Sequence, residues 1–149
     1  MCIRDRSYYE GAYELGDDEA LLVEVKIPQD VAYWSLILTN EIYETIDWYN
    51  NQSSLNDAQA RLDDDGYFRA VISARDPGIH NWLDTSGNPR GAIQGRWFGT
   101  DERPTPTIRR VALARIRAEL PEQTPVISKE EREAALRARR IHAQMRTIW

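Results

Sequence analysis

The chain is nearly without cysteine and poor in histidine and lysine, and each shortage narrows the chemistry open to it. The single cysteine, Cys2, lies in an opening hexapeptide, Met1-Cys2-Ile3-Arg4-Asp5-Arg6, that looks like the translated end of a transposon used to prepare DNA libraries. Such a scar is set aside when a fold is read. On that reading natural sequence starts near Ser7, residues 7–19 are the remnant of a truncated upstream region, and any signal peptide, lipidation site or first domain lies further upstream. The remainder has no cysteine, which excludes disulfides, thiolate nucleophiles and zinc–cysteine sites together. The two histidines, His80 and His142, are far apart in sequence, whereas a zinc or iron centre needs several ligands converging. No metal and no cofactor is expected. Seventeen of the 19 basic residues are arginine, which fits a GC-rich genome better than a phosphate-binding surface. Long apolar runs are missing too. The longest, around Trp34 to Leu38, has the length of a strand and not of a membrane span.

What is present is ordinary globular material. At 149 residues, 42% hydrophobic and 29% charged, the chain has one domain's length and enough apolar mass to bury a core. The net charge of −5 hides an asymmetry: residues 129–149 carry six basic and three acidic groups, and the rest holds 13 basic against 21 acidic. An acidic body with a basic terminal helix argues against a nucleic-acid partner, whose binding face should be dominated by basic residues. The helix is expected to dock on its own acidic body or on a second copy, forming a homo-oligomer. A cytoplasmic location is favoured.

The patterning predicts mostly strands. Leu21, Val23, Val25 and Ile27 alternate with Leu22, Glu24 and Lys26, a half-buried strand ended by Pro28. Trp34, Leu36 and Leu38 mark another. Ala58, Ala60 and Leu62 before Asp63-Asp64-Asp65-Gly66, with Phe68, Ala70 and Ile72 after it, predict a hairpin with an exposed tip at Asp63 and Asp64. Trp34 and Phe68 should be buried. Ile93, Gly95 and Trp97 share one face of a later strand, and Thr107 to Val111 form one more. Short strands with Gly- and Asp-rich turns read as an antiparallel, jelly-roll-like β-sandwich over residues 20–111. C-terminal helices follow over 112–149: Leu113, Ile116 and Leu120 on a short one stopped by Pro121, then a longer one capped by Ser128 with Glu131 closing a capping box. Ala134, Ala138, Ile141, Met145 and Ile148 make an apolar stripe suited to packing, with Arg137, Arg139, Arg140 and Arg146 expected to be solvated or paired with acids.

The most distinctive stretch is Asp76-Pro77-Gly78-Ile79-His80-Asn81-Trp82-Leu83-Asp84-Thr85, closed by Arg96-Trp97. Pro77 fixes φ, Gly78 permits positive φ, and both aspartates can bind their own backbone. Asp76, Asn81, Trp82, Asp84, Arg96 and Trp97 are the candidate ligand-binding residues. Against a ligand role, Arg96 could clamp the Asp76–Asp84 segment, and the tryptophans, Trp34 and Trp48 included, could be core pegs. His80 is a weak general-base candidate, and His142 reads as a surface residue. Asp63-Asp64-Asp65-Gly66 lacks the further ligands of a calcium loop, Gly87, Gly91 and Gly95 lack a strand–loop–helix context, and Ser53 and Ser54 lack a nucleophile elbow.

Tyr33-Trp34-Ser35-Leu36, Ser53-Ser54-Leu55-Asn56, Asp65-Gly66, Asp76-Pro77-Gly78, Asn81-Trp82-Leu83 and Arg96-Trp97, in this order, resemble the bacterial domain of unknown function 1214 over about residues 20–100. Family members often continue Asn-Trp-Leu with Pro and carry a Tyr after the late Arg. Asp84 and Trp97 stand there here, which suggests a divergent branch. The resemblance implies a jelly-roll-like sandwich, often preceded by a domain of family 1254, and brings no reaction with it. Two function classes follow. One is a non-catalytic C-terminal module that binds a ligand or supports a missing N-terminal domain. The other is part of a hydrolase-like or catabolic accessory enzyme with its site at the seam with that domain.

Overall fold

Period-two patterning over the first 112 residues resolves into eight strands in the computed structural model, which describes residues 6–145. They are β1 (Arg6–Glu14), β2 (Glu19–Lys26), β3 (Tyr33–Thr39), β4 (Ser54–Asn56), β5 (Tyr67–Ser73), β6 (Trp82–Asp84), β7 (Arg90–Phe98) and β8 (Thr107–Ala112). A 3-10 turn at Leu113–Arg115 leads into α1 (Ile116–Glu119), and α2 (Lys129–Gln144) follows. The strands form two four-stranded sheets, the first in the order β1-β7-β3-β4 and the second in the order β6-β5-β2-β8. All pairings are antiparallel except the short parallel contact of β5 with β6.

The two sheets face each other across one core. Trp34, Leu36, Leu38, Ile93 and Trp97 from the first meet Val23, Val25, Phe68, Ala70 and Ile72 from the second. Trp34 and Phe68 touch across the gap with ring centroids 4.7 Å apart. This is the expected β-sandwich with helices at its C-terminal end. The second sheet is buried on its other face as well, where Leu22, Val71 and Ile79 pack under Ile116 and Leu120 of the short helical segment. Leu22 is therefore fully buried, and β2 is not the half-exposed strand its charged neighbours suggested.

Three further expectations change. The sandwich extends upstream of residue 20, because β1 pairs with β7 along its whole length and places Tyr13 in the core. Residues 58–62 form no strand, so β5 is not one arm of a hairpin; Gly66 still takes positive φ, at 79°. Asp63 is buried at 4% exposure because Arg69 Nη1 reaches its Oδ2 at 2.7 Å and Thr124 Oγ1 donates to the same oxygen at 2.7 Å. Arg69 also pairs with Glu24 at 3.0 Å and with Asp65 at 2.8 Å.

The long helix begins as its sequence predicts. Ser128 accepts from the Glu131 amide and Glu131 answers through the Ser128 amide. Its docking face is the reverse of the one expected. Ala134 and Ala138 are exposed, as are Ile141 at 49% and Met145 at 73%, whereas Arg132 is buried and Arg139 half-buried. Ile148 and Arg146 lie outside the described residues.

Candidate functional site

The 76–85 loop is a fixed scaffold. Gly78 takes φ 73°, and its amide donates to Asp76 Oδ1 at 2.8 Å. Asn81 uses its whole amide: Nδ2 donates to the carbonyls of Arg61 and Arg69 at 2.6 and 2.9 Å, and Oδ1 accepts from the Arg61 amide at 2.9 Å. Trp82 is 7% exposed, and its Nε1 donates to Ser73 O at 3.2 Å and Ser73 Oγ at 3.0 Å. Asp84 Oδ1 accepts from the Ser86 amide at 2.7 Å. Burial raises the Asp84 pKa, helped by the nearby negative charge of Asp76.

The clamp on this loop is Arg132 from α2. Its Nε donates to Asp76 Oδ2 at 2.9 Å, its Nη1 to His80 O at 3.2 Å and its Nη2 to Ile79 O at 2.5 Å, with the guanidinium 5.2 Å over the Trp82 ring. Sequence reading gave that task to Arg96, the nearer arginine along the chain. Nothing distinguishes Arg132 among the arginines of α2 except its place one turn after Ser128, which aims it at the loop.

Arg96 lies on the other sheet, so it does not join Asp76 and Asp84. The placement follows from β7: Gly95 and Trp97 face the core, and Arg96 between them points outward. The inward side fixes the register. A Cβ on Gly95 would lie 1.8 Å from the Tyr9 ring, so that ring occupies the space a side chain would need and seats β1 against β7. Tyr8 then stands directly opposite Arg96, as Ser35 of β3 does on the other side. Trp97 is a core peg, its Nε1 donating to Pro104 O at 3.2 Å.

Around Arg96 the outer face carries aromatic and polar side chains. The guanidinium lies 5.8 Å from the ring centroids of both Tyr8 and Tyr33. Its Nε is buried without a hydrogen-bond partner, and no carboxylate among the described residues pairs with it. A hollow of about 420 Å³ opens here over Tyr8, Glu10, Ser35, Ile37, Gln94 and Arg96. A partly sheltered cation framed by two rings favours an anion, and ligands with an apolar face can stack beside it. A larger hollow of about 480 Å³ beside Tyr13 and Gly91 offers less. The arginines on its wall, Arg90 and Arg110, are satisfied by Glu41 at 2.7 Å and Glu19 at 3.0 Å.

His80 and His142 do line one cleft of about 230 Å³ under α2, a convergence that their separation in sequence concealed. Burial lowers the His80 pKa, and its Nδ1 lies 3.3 Å from Asn81 Oδ1. No group of three or more metal-ligating side chains occurs among the described residues. No helix there is long and apolar enough to cross a membrane.

A two-sheet sandwich of this kind, with a loop clamped from a C-terminal helix, defines a small β-module. The chain belongs to the family described as protein of unknown function DUF1214, whose model matches residues 13–102. It is similar in structure to an uncharacterized protein from Burkholderia cenocepacia, with 34% identity and a TM-score of 0.71 over 74% of this chain and 31% of that one. The VPA0106 protein from Vibrio parahaemolyticus shares the fold, with 23% identity and a TM-score of 0.57 over 72% of this chain and 31% of that one. The chain thus spans about a third of the length of these two structures. No curated protein matches it.

Proposed function

We propose that this domain is a ligand-binding module of a longer bacterial protein, taking a small anionic, polar ligand on the outer face of the first sheet. The observation that carries the reading is Arg96: a half-buried guanidinium held between Tyr8 and Tyr33, above a hollow, with no acid partner among the described residues. A structural arginine is normally tied to carboxylates or carbonyls, as Arg69 and Arg132 are here. Asp76, Asn81, Trp82 and Asp84 then serve as scaffold, since each is engaged with its own loop or with α2. The hydrolase reading has less behind it, because Asp76 is spent on Arg132.

A thermal-shift screen of sugars, sugar acids, organic acids and nucleotides tests the proposal, since a ligand that binds only the folded state raises its melting temperature. Anionic compounds should stabilise the wild type and fail to stabilise Arg96→Ala or Tyr8→Ala. If no compound acts, or if the hits stabilise both variants equally, the site is wrong.

A second reading rests on α2. Its exposed stripe of Ala134, Ala138, Ile141 and Met145 suits a contact with a preceding domain or with a second copy, which would make the module a support. In that case removing the stripe would change the assembly and leave ligand binding intact.

A further inference from the structure

The hollow over Arg96 does not end at Ser35. Ser35 and Ile37 also floor a second hollow of about 230 Å³, walled by Trp48, Asn56, Gln59 and Arg139. Strand register sets Tyr8, Arg96, Ser35 and Asn56 in one row across four neighbouring strands. At the usual spacing between strands that row runs roughly 14 Å. The far end carries a second cation. Arg139 donates to Trp48 O at 2.9 Å, Ser54 Oγ at 3.1 Å and Ser54 O at 2.8 Å, all neutral acceptors. These bonds hold the guanidinium in place without neutralising it. Burial, and then the neighbouring charge of Arg132, pull its pKa below the usual arginine range. Glu10 also lines the first hollow, held by Gln94 Nε2 at 3.1 Å; that amide is neutral, so an anion must sit toward Arg96 and away from this carboxylate.

Building on the ligand-binding reading, we infer that the trough takes an acidic oligosaccharide of two or three uronic-acid units. Its carboxylates would meet Arg96 and Arg139, its ring faces would lie on Tyr8, Tyr33 and Trp48, and its hydroxyls would bond to Ser35, Asn56, Gln59 and Gln94. The chemistry follows from the spacing of charge. Arg96 stands on the second strand of the row and Arg139 lies beside Ser54 and Asn56 of the fourth, two strand spacings or roughly 10 Å along, so one ligand that meets both needs two anions joined by something longer than a short dicarboxylate. Between them the floor sets Ser35, Asn56 and Gln59 beside the apolar Ile37 and Leu55, a mixture that suits the hydroxyls and ring faces of a sugar linker. A nucleic-acid strand would also carry spaced anions, but it presents a charge at every nucleotide, whereas this trough offers two cations.

The test is isothermal titration of the whole chain with trigalacturonate, with trimers of mannuronate and glucuronate alongside and a neutral trihexose as control. An acidic trimer should bind, and more weakly as salt is raised. Arg96→Gln and Arg139→Gln should each weaken it by roughly tenfold to a hundredfold, the loss of one charge-assisted contact. Because Arg139 also anchors α2, Arg139→Lys keeps a cation there and should retain more affinity than Arg139→Gln. Equal affinity for the neutral trimer, or binding indifferent to salt, overturns the acidic-sugar inference while leaving a ligand on this face. Acidic binding that survives both glutamine substitutions places the sugar elsewhere and also overturns it. If no trimer binds, the inference falls, and the thermal-shift screen decides separately whether any ligand uses the face.

Discussion

Trp82 shows how one side chain can decide between scaffold and site. Its ring is buried under the Arg132 guanidinium and its indole nitrogen is bonded to Ser73, so its removal leaves a cavity and an unsatisfied loop. Trp82→Ala should cost roughly 3–5 kcal/mol in urea unfolding; a change within about 1 kcal/mol would mean that the ring is a surface platform. Arg69 makes a complementary case. Its partner Asp63 has a side chain with no solvent exposure, and one of that carboxylate's oxygens, Oδ1, already lacks a partner. Arg69→Met strands a buried charge and should destabilise the fold by roughly 3–5 kcal/mol. Replacing the acid as well, in Arg69→Met/Asp63→Leu, should recover part of that loss. His80 gives a pH signature. Burial outweighs its contacts with Asn81 and Glu131, and Arg61 and Arg132 add repulsion, so its folded pKa lies below the unfolded value. The unfolded chain therefore takes up the proton first, and stability falls as pH drops from about 6.5 toward the lowered value, levelling off beneath it. In His80→Gln that part of the slope should vanish from urea midpoints measured across the range.

Among the elements, α2 departs most from its apparent design. An apolar stripe predicts an apolar seat, yet the helix docks through Arg132 and Arg139, which reach seven loop and strand-edge acceptors between them. Long arginine stems cover apolar surface while their heads bond carbonyls left unpaired at the ends of strands and loops. Arg132→Ala should therefore loosen α2 and the 76–85 loop together, seen as faster amide exchange in both; exchange rising in the helix alone would contradict the clamp. Strand periods, the Ser128–Glu131 capping box and the stop at Pro121 were legible because each depends on neighbours within a few residues. The 58–65 segment was not. Its conformation depends on Asp63 meeting Thr124, 61 residues away, and on Asn81 accepting the Arg61 amide. No local pattern carries that information. The role of β1 was hidden for the same reason, since Tyr9 matters only where Gly95 leaves room for it.

For the molecule as a whole, the division of labour is between two sheets. The second sheet, whose strands β2 and β5 pack against the core on one face and under the α1 segment on the other, supplies stability; the first, with one face toward solvent, carries the proposed site. Of the six residues singled out from sequence, Arg96 alone lies on that face, and its companions there, Tyr8 and Tyr33, come from strands that only the register brings beside it. The claim that this face binds an anionic ligand, in its acidic-sugar form, is tested most directly by an amide-shift titration of the isotopically labelled chain with trigalacturonate. The account predicts saturable shifts concentrated at Tyr8, Ser35, Asn56 and Arg96, displaced to roughly tenfold to a hundredfold higher ligand concentration in Arg96→Gln while that variant keeps the wild-type spectrum elsewhere. Shifts confined to the His80–His142 cleft, or unchanged by Arg96→Gln, would contradict it.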